Sequence, residues 1–171
     1  YSRNFQRLLK PFRISGGGGT VPVGDYRWNS FNTQYNAFVG RKASGSIGLD
    51  HGGYYDGTIT TLDISPYLKP TSKLSFSPSY QSNRIVRPSL TFVTRRLNTQ
   101  VNYSISQKWL TRTSVIVNSQ DKSLTLNSRL NYIFRPGDDL FVVYSESRTY
   151  GDSSALRNRA LIVKVTYSLD R

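Results

Sequence analysis

Ser123 to Thr149 reads SLTLNSRLNYIFRPGDDLFVVYSESRT, two alternating runs joined at Arg135-Pro136-Gly137-Asp138-Asp139. Leu124, Leu126, Leu130, Tyr132 and Phe134 fall on one parity, and Thr125, Asn127, Arg129 and Asn131 fall on the other. A two-residue period marks a strand with one apolar and one polar face, so the stretch predicts a β-hairpin. Its first arm has about a dozen residues, where a globular strand has about five or six and a tilted membrane-crossing strand about ten. Strand length therefore points to a membrane.

The same alternation runs outward along the chain. Phe31, Thr33, Tyr35, Ala37 and Val39 oppose Asn32, Gln34 and Asn36, and Ala43, Gly45, Ile47 and Leu49 oppose Ser44, Ser46 and Asp50. Thr60, Leu62, Ile64 and Leu68 oppose Thr61, Asp63 and Ser65, while Leu74, Phe76, Pro78 and Tyr80 oppose Ser75, Ser77, Ser79 and Gln81. Pro78 has no backbone N–H to donate, so it requires a bulge or an unpaired site. Val93, Leu97, Val101, Tyr103 and Ile105 oppose Thr94, Arg96, Asn98, Gln100 and Asn102. Trp109 to Asn118 is mixed, and Arg159 to Leu169 sets Leu161, Val163, Val165, Tyr167 and Leu169 against Lys164, Thr166 and Ser168.

About nine such runs joined head to tail predict an all-β, antiparallel up-and-down transmembrane β-barrel. Short connections are expected at residues 40–42, 69–72, 106–108 and 135–139. The others, at about 51–57, 82–90 and 150–158, read as longer, with 119–122 a short exception. Outer-membrane barrels have tight periplasmic turns and longer external loops, which puts the C-terminus on the periplasmic side. Tyr26, Trp28, Tyr54, Tyr55, Trp109, Tyr132, Phe134 and Tyr150 stand near run ends, where interfacial aromatic girdles belong. Single-chain bacterial barrels have an even strand number, so either Phe5 to Ile14 adds a tenth strand or further strands lie upstream.

Composition narrows the classes. The chain has 171 residues, 37% of them hydrophobic, and no apolar run near the roughly eighteen residues of a membrane helix. It has no cysteine, which excludes disulfide scaffolds, thiol catalysis and Cys-based zinc sites. Residues 1–24 read as a lead-in with a flexible joint at Gly16 to Gly19, and residues 25–171 as the barrel wall. The chain opens at Tyr1 without a methionine or a signal peptide, as a mature or fragmentary part of something longer would. The net charge of +13 would suggest nucleic acid in a soluble protein, but the bases are spread singly along the strands rather than clustered, so no nucleic-acid partner is expected.

The segments PVGDYRW, GGYYDGT and LNSRLNYIFRPGDDLFVVYSE resemble the C-terminal outer-membrane barrel of bacterial proteins with an N-terminal domain similar to carbohydrate-binding family nine. Arg135 to Tyr144 is the most specific part, and the resemblance extends from about Phe12 to the end. It implies a barrel in the outer membrane of a two-membrane envelope, preceded by a sugar-binding-like domain and by further strands. The last residues, Ser168-Leu169-Asp170-Arg171, depart from the terminal aromatic common in such barrels.

Catalytic signals are sparse, and no enzyme activity, cofactor or metal is expected. His51, the one histidine, lies beside Asp50 and near Ser44 and Ser46, so a barrel-embedded hydrolase can be written down; a lone histidine among glycines reads as a loop residue. Asp50, His51 and Asp56 match no closed metal spacing. The polar parity says more. With apolar faces against lipid, Arg96, Arg112, Arg129 and Lys164 line the lumen with Asn98, Asn127, Asn131 and Gln100, a lining that favours anions. The opposing reading has Asp50, Asp63 and Glu146 pair these bases and brace a filled barrel. Arg84, Arg87, Arg95, Arg148, Arg157 and Arg159 are expected at the outer rim, on lipopolysaccharide phosphates. The chain thus reads as a pore or as the membrane anchor of a surface complex, completed by upstream strands or another subunit. The competing class is a soluble β-sheet protein binding carbohydrate or nucleic acid.

Overall fold

The computed structural model describes residues 1–14, 19–37, 42–151 and 154–168. These residues form strands and turns, with no helix among them. In chain order the strands are β1 (Ser2–Leu8), β2 (Phe12–Arg13), β3 (Thr20–Val21), β4 (Gly24–Ala37), β5 (Ala43–Tyr54), β6 (Gly57–Thr71), β7 (Leu74–Arg87), β8 (Leu90–Ser104), β9 (Trp109–Asn118), β10 (Ser123–Arg135), β11 (Asp138–Thr149) and β12 (Ala155–Thr166). Ten of them form one antiparallel up-and-down sheet, β1-β4-β5-β6-β7-β8-β9-β10-β11-β12, while β2 and β3 pair separately. The hairpin of β10 and β11 pairs from Ser123↔Thr149 to Arg135↔Asp138 about Pro136-Gly137. β1 and β12 lie at opposite edges and do not bond to each other, so the sheet is open rather than closed into a barrel.

The tenth strand lies inside the segment expected to be a lead-in. β1 pairs with β4 from Ser2↔Ser30 to Leu8↔Gly24, and its register is held by Arg7, whose Nε and Nη2 each stand 2.7 Å from the Asp25 carboxylate. The sheet therefore begins at residue 2 rather than 25. Residues 15–18, which include most of the glycine joint, lie outside the described residues, as do Val39, Gly40, Arg41 and Leu169 to Arg171.

The expected difference in loop length is not found. β5 and β6 are joined by Tyr55-Asp56 alone and β7 and β8 by Pro88-Ser89 alone, so strand occupies most of the two stretches read as long loops. Gly52 and Gly53 signal a loop by composition, yet here the missing side chain lets two strands approach closely. A Cβ on Gly52 would stand 2.5 Å from the Asn29 carbonyl oxygen and 2.7 Å from Ser30 Cα. Loop length consequently gives no basis for assigning sides to the C-terminus.

Pro78 is accommodated without a bulge at its own position. β6 and β7 pair at Ile64↔Tyr80 and again at Leu68↔Phe76, which sets Pro66 opposite Pro78 in a gap of the ladder. Two residues lacking an N–H face each other, and Ser65 Oγ donates to Ser79 Oγ at 3.1 Å across the same gap.

The sheet is one layer thick. Among the described residues only Ile14, Val21 and Ile85 are buried apolar side chains, whereas Leu161, Val163 and Val165 are 67%, 60% and 63% exposed. The accessible surface is 11959 Å². A folded soluble monomer of 19.4 kDa would expose about 8,500 Å². Adding a methyl in the tight β4–β5 approach should therefore be felt even without a core: Gly52→Ala is expected to destabilise the sheet by about 1–3 kcal/mol. Gly48→Ala, whose Cβ would have its nearest neighbour at 3.8 Å, should stay within about 0.5 kcal/mol. Denaturant unfolding in detergent measures both, and equal effects would contradict the close approach.

Candidate functional site

Residues directly opposite in an antiparallel ladder share a face, so the register sorts every side chain. One row runs Asn102↔Arg112↔Arg129↔Val143 across β8, β9, β10 and β11, and the row beside it runs Ser104↔Leu110↔Asn131↔Phe141↔Lys164. Asp63↔Gln81↔Arg96 and Gln100↔Ser114↔Asn127↔Ser145 lie on the same face. Arg96, Asn98, Arg112, Asn127, Arg129 and Lys164 thus stand together on one polar face. The mixed strand β9 resolves too, with Leu110 and Ile116 on this face and Trp109, Val115 and Val117 on the other.

Hydrogen bonds knit the polar face. Gln81 Nε2 donates to Asp63 Oδ1 at 2.9 Å, Ser145 Oγ to Asn127 Oδ1 at 2.8 Å and Arg112 Nε to Asn102 Oδ1 at 2.9 Å. The Arg129 guanidinium lies over the Phe141 ring at 4.2 Å. Asn98 Oδ1 and Asn131 Oδ1 are buried without a partner. The bracing carboxylates do not reach these bases: Asp50 is bonded to Asn32 and Asp63 to Gln81. Glu146 lies on the opposite face, paired with Arg148 and Arg159. Among the described residues Arg96, Arg112, Arg129 and Lys164 form no ion pair.

The apolar face carries a belt without a charged side chain. Its residues include Phe31 and Tyr35, Ile47 and Leu49, Leu62 and Ile64, Phe76 and Tyr80, Leu97 and Val101, Val115 and Val117, Leu126 and Leu130, Val142 and Tyr144, and Leu161 and Val163. Three of its hydroxyls are bonded locally, Thr113 Oγ1 with Ser128 Oγ at 3.0 Å and Thr111 Oγ1 to the Tyr103 carbonyl at 3.0 Å. Toward the rim with the Tyr55-Asp56 and Pro88-Ser89 turns, the belt ends abruptly. Phe31 gives way to Asn29, Leu49 to His51, Leu62 to Thr60, Tyr80 to Ser82 and Arg84, Leu97 to Arg95, Tyr144 to Glu146 and Arg148, and Leu161 to Arg159. Near the other rim the same face has aromatics, with Trp109 and Tyr132 rings 4.3 Å apart and Phe134 4.8 Å from Tyr132.

Four of the expected rim arginines, Arg84, Arg95, Arg148 and Arg159, stand at that charged border. Arg157 is the extra residue of a bulge, since Leu156 pairs with Arg148 and Asn158 with Ser147. Arg87 is different. It lies on the polar side, 6% exposed, with Nε 2.7 Å and Nη2 2.9 Å from the Asp56 carboxylate and Nη2 donating to the Thr20 carbonyl at 3.0 Å.

That arginine latches the β2–β3 piece over the Tyr55-Asp56 turn. Tyr55, at φ 56, is an uncommon left-handed tyrosine, and its ring contacts Phe12, Tyr26, Trp28 and Tyr54 with centroids 4.8–6.1 Å away. Tyr26, Trp28, Tyr54 and Tyr55 therefore form a cluster under the hairpin, and Tyr26 and Trp28 lie on the polar parity rather than in an outward girdle. Sequence spacing could not reveal this latch, because Thr20, Asp56 and Arg87 belong to three separate elements.

The hydrolase constellation is not assembled. His51 pairs with Phe31 and Thr60 on the apolar side, its Nδ1 2.8 Å from Thr60 Oγ1, while Ser44, Ser46 and Asp50 lie on the polar side. Asp138 pairs with Arg135 and accepts from Ser168 N at 2.7 Å, fastening its turn to the end of β12. Comparisons with family models, curated proteins and solved structures find no match to this chain.

Arg87, chiefly through its hydrogen bonds, holds the Asp56 carboxyl below its ordinary value. A carboxylate with a lowered folded-state pKa stabilises fully above its unfolded value and loses that contribution as pH falls through the folded one. Docking of the β2–β3 piece, followed by Trp28 emission in a Trp109→Phe background, should hold at neutral pH and loosen only below the usual aspartate range near ~4. Asp56→Asn should be loosened already at neutral pH and lack the acid step. An identical acid step in the variant would assign it to another group.

Proposed function

We propose that this chain is a wall of an outer-membrane β-barrel, its apolar face against lipid and its polar face toward an aqueous lumen that favours anions. One observation carries the reading: the belt's arginine-bearing border drifts against the hydrogen-bond ladder as the sheet is crossed. At β4 the border falls at Ser30, whose ladder row runs through Gly52 and Ile59 to Ile85 and Phe92, yet on β7 and β8 it falls at Gln81 and Arg96. From there the row runs through Asn118 and Ser123 to Thr149, yet on β11 it falls at Ser145. Across the eight steps from β4 to β12 the drift averages about one residue per strand. With a rise of about 3.4 Å and a strand spacing of about 4.8 Å, such a border is level when the strands tilt by about 35°. Membrane barrels tilt their strands by about 35–45°.

Belt height agrees. Leu124 to Tyr132 on β10 spans about 27 Å along the strand and about 22 Å along the membrane normal at that tilt, against about 25 Å for the apolar band of such barrels. A soluble sandwich would cover this face with a second sheet, and this sheet has one layer. The border arginines Arg84, Arg95, Arg148 and Arg159 suit lipopolysaccharide phosphates in the outer leaflet. The free edges need partners, β4 from Phe31 to Ala37, which β1 does not reach, and β12, because hydrocarbon does not tolerate unpaired backbone groups. Upstream strands of the same polypeptide meet that need most simply, with another subunit as the alternative. The resemblance in the terminal hairpin agrees with this placement.

A second reading, a filled barrel that anchors a surface complex, is favoured by the β2–β3 piece latched at one rim through Arg87. Planar-bilayer recording separates the two. An open wall gives an anion-preferring conductance that Arg96→Gln, Arg112→Gln and Arg129→Gln together reduce; a closed anchor gives none.

Facing has its own test on β10. Leu130→Arg, opposite Val142 and Thr111 in the belt, should cost about 2–4 kcal/mol for folding into vesicles, the penalty of a base on the lipid face near the bilayer midplane. Thr125→Arg, on the polar face, should cost under about 1 kcal/mol. Equal costs, or a chain that stays soluble and folded without detergent, would refute the membrane reading.

A further inference from the structure

We propose that Arg112 and Arg129 form a discrete oxyanion-binding site on the polar face, taking a phosphate or carboxylate group. The proposal deepens the anion-favouring reading of that face and rests on it. The two guanidinium-bearing residues are directly opposite on β9 and β10, an arrangement that like charges disfavour. Among the described residues no carboxylate pairs with them. Glu146 faces away, and Asp139, the nearest acid on this face of β11, lies two rows toward the rim from Val143, the residue opposite Arg129. Four residues along a strand amount to about 13 Å.

Both guanidinium groups are oriented by neighbours that leave donors free. Asn102 Oδ1 accepts from Arg112 Nε at 2.9 Å, and Asn102 is itself fixed, its Nδ2 donating to Ser75 Oγ at 3.1 Å and its Oδ1 accepting from Gln100 Nε2 at 3.2 Å. The terminal nitrogens of Arg112 are thereby left to grip a ligand. The Arg129 guanidinium carbon lies over the Phe141 ring, 4.2 Å from its centroid, and no protein acceptor among the described residues takes its N–H groups. Planar forks held in this way match the paired oxygens of phosphate or carboxylate. Lys164, opposite Phe141 on β12, adds a third positive charge nearby.

The space is present as well. A hollow of about 300 Å³ is lined by Asn102, Ser104, Leu110, Arg112, Arg129 and Asn131, among others. The buried Asn131 carboxamide in its wall has an unpartnered oxygen. The Ser104 hydroxyl can serve a protonated oxygen of a bound anion while Leu110 supplies an apolar side. Arg96 is a weaker candidate, because its hollow also contains Asp63.

Calorimetric titration of the detergent-folded chain with inorganic phosphate, and separately with malonate, tests the site. Phosphate should bind and raise the melting midpoint. Malonate binding as well would show a general oxyanion site, and its absence a phosphate-selective one. Arg112→Gln with Arg129→Gln should weaken binding at least about tenfold, the order expected when two charge-assisted bonds are lost. The double lysine variant should fall between, keeping charge but losing the forks. Arg3→Gln with Arg27→Gln, on the other face at β1 and β4, should bind as the wild type does. Folding of each variant is checked by sheet circular dichroism. Wild-type protein that is folded but shows neither binding nor stabilisation overturns the site, as does unchanged binding in the folded double glutamine variant. Either result leaves the membrane reading intact, since that stands on Leu130→Arg against Thr125→Arg.

Discussion

In a one-layer sheet each backbone N–H and C=O has only the neighbouring strands to bond, and nearly everything else in this molecule depends on that ladder. Three buried apolar side chains cannot hold ten strands together. What holds them is continuous antiparallel pairing from β1 to β12, with polar side-chain contacts where register needs fixing. Arg7 on Asp25 sets β1 against β4, and Asp138 secures both its own turn and the segment after β12. The paired gap at Pro66 and Pro78 follows the same logic, since two residues without an N–H cost least when opposite each other.

The ladder also divides the charges. Arg95 and Arg96 are adjacent in the chain, yet one stands at the border of the apolar belt and the other beside Gln81 on the polar face. Glu146 and Arg148 share the belt's parity and meet Arg159 there, which removes one of the three acids that the sequence had offered to the bases of the polar face. The polar face is left rich in cations, carboxamides and hydroxyls, with Leu110, Ile116, Phe141 and Val143 among them, and its acids Asp50 and Asp63 are engaged by Asn32 and Gln81. A face of that composition holds a positive potential in any solvent-filled enclosure.

The short segment before β4 has a physical role that composition hides. Its glycines read as a joint, but Phe12, Thr20 and Val21 pack over Tyr55 and Arg87, and Val21 is the most deeply buried residue described. A left-handed tyrosine at a two-residue turn persists because four other rings and the Asp56–Arg87 pair hold it from several directions.

Strand identity, the parity of each side chain and the meander were legible in the sequence, because a period of two is a local property and each run is long enough to display it. Loop lengths were not, since Gly52 and Gly53 look like loop residues and their role becomes visible only when Asn29 and Ser30 come against them. The tenth strand was legible only as an alternative, at Phe5 to Ile14, and its span was hidden: Ser2–Leu8 is short and weakly patterned, and Asp25 and its neighbours on β4 complete it. That Arg96, Arg112, Arg129 and Lys164 share the polar face was readable from parity. That Arg112 faces Arg129, that Asn102 and Phe141 orient them, and that Arg87 is buried on Asp56 were decided by register between strands up to 31 residues apart. Parity is written along one strand, whereas partnership is a relation between strands, and only the folded sheet specifies it.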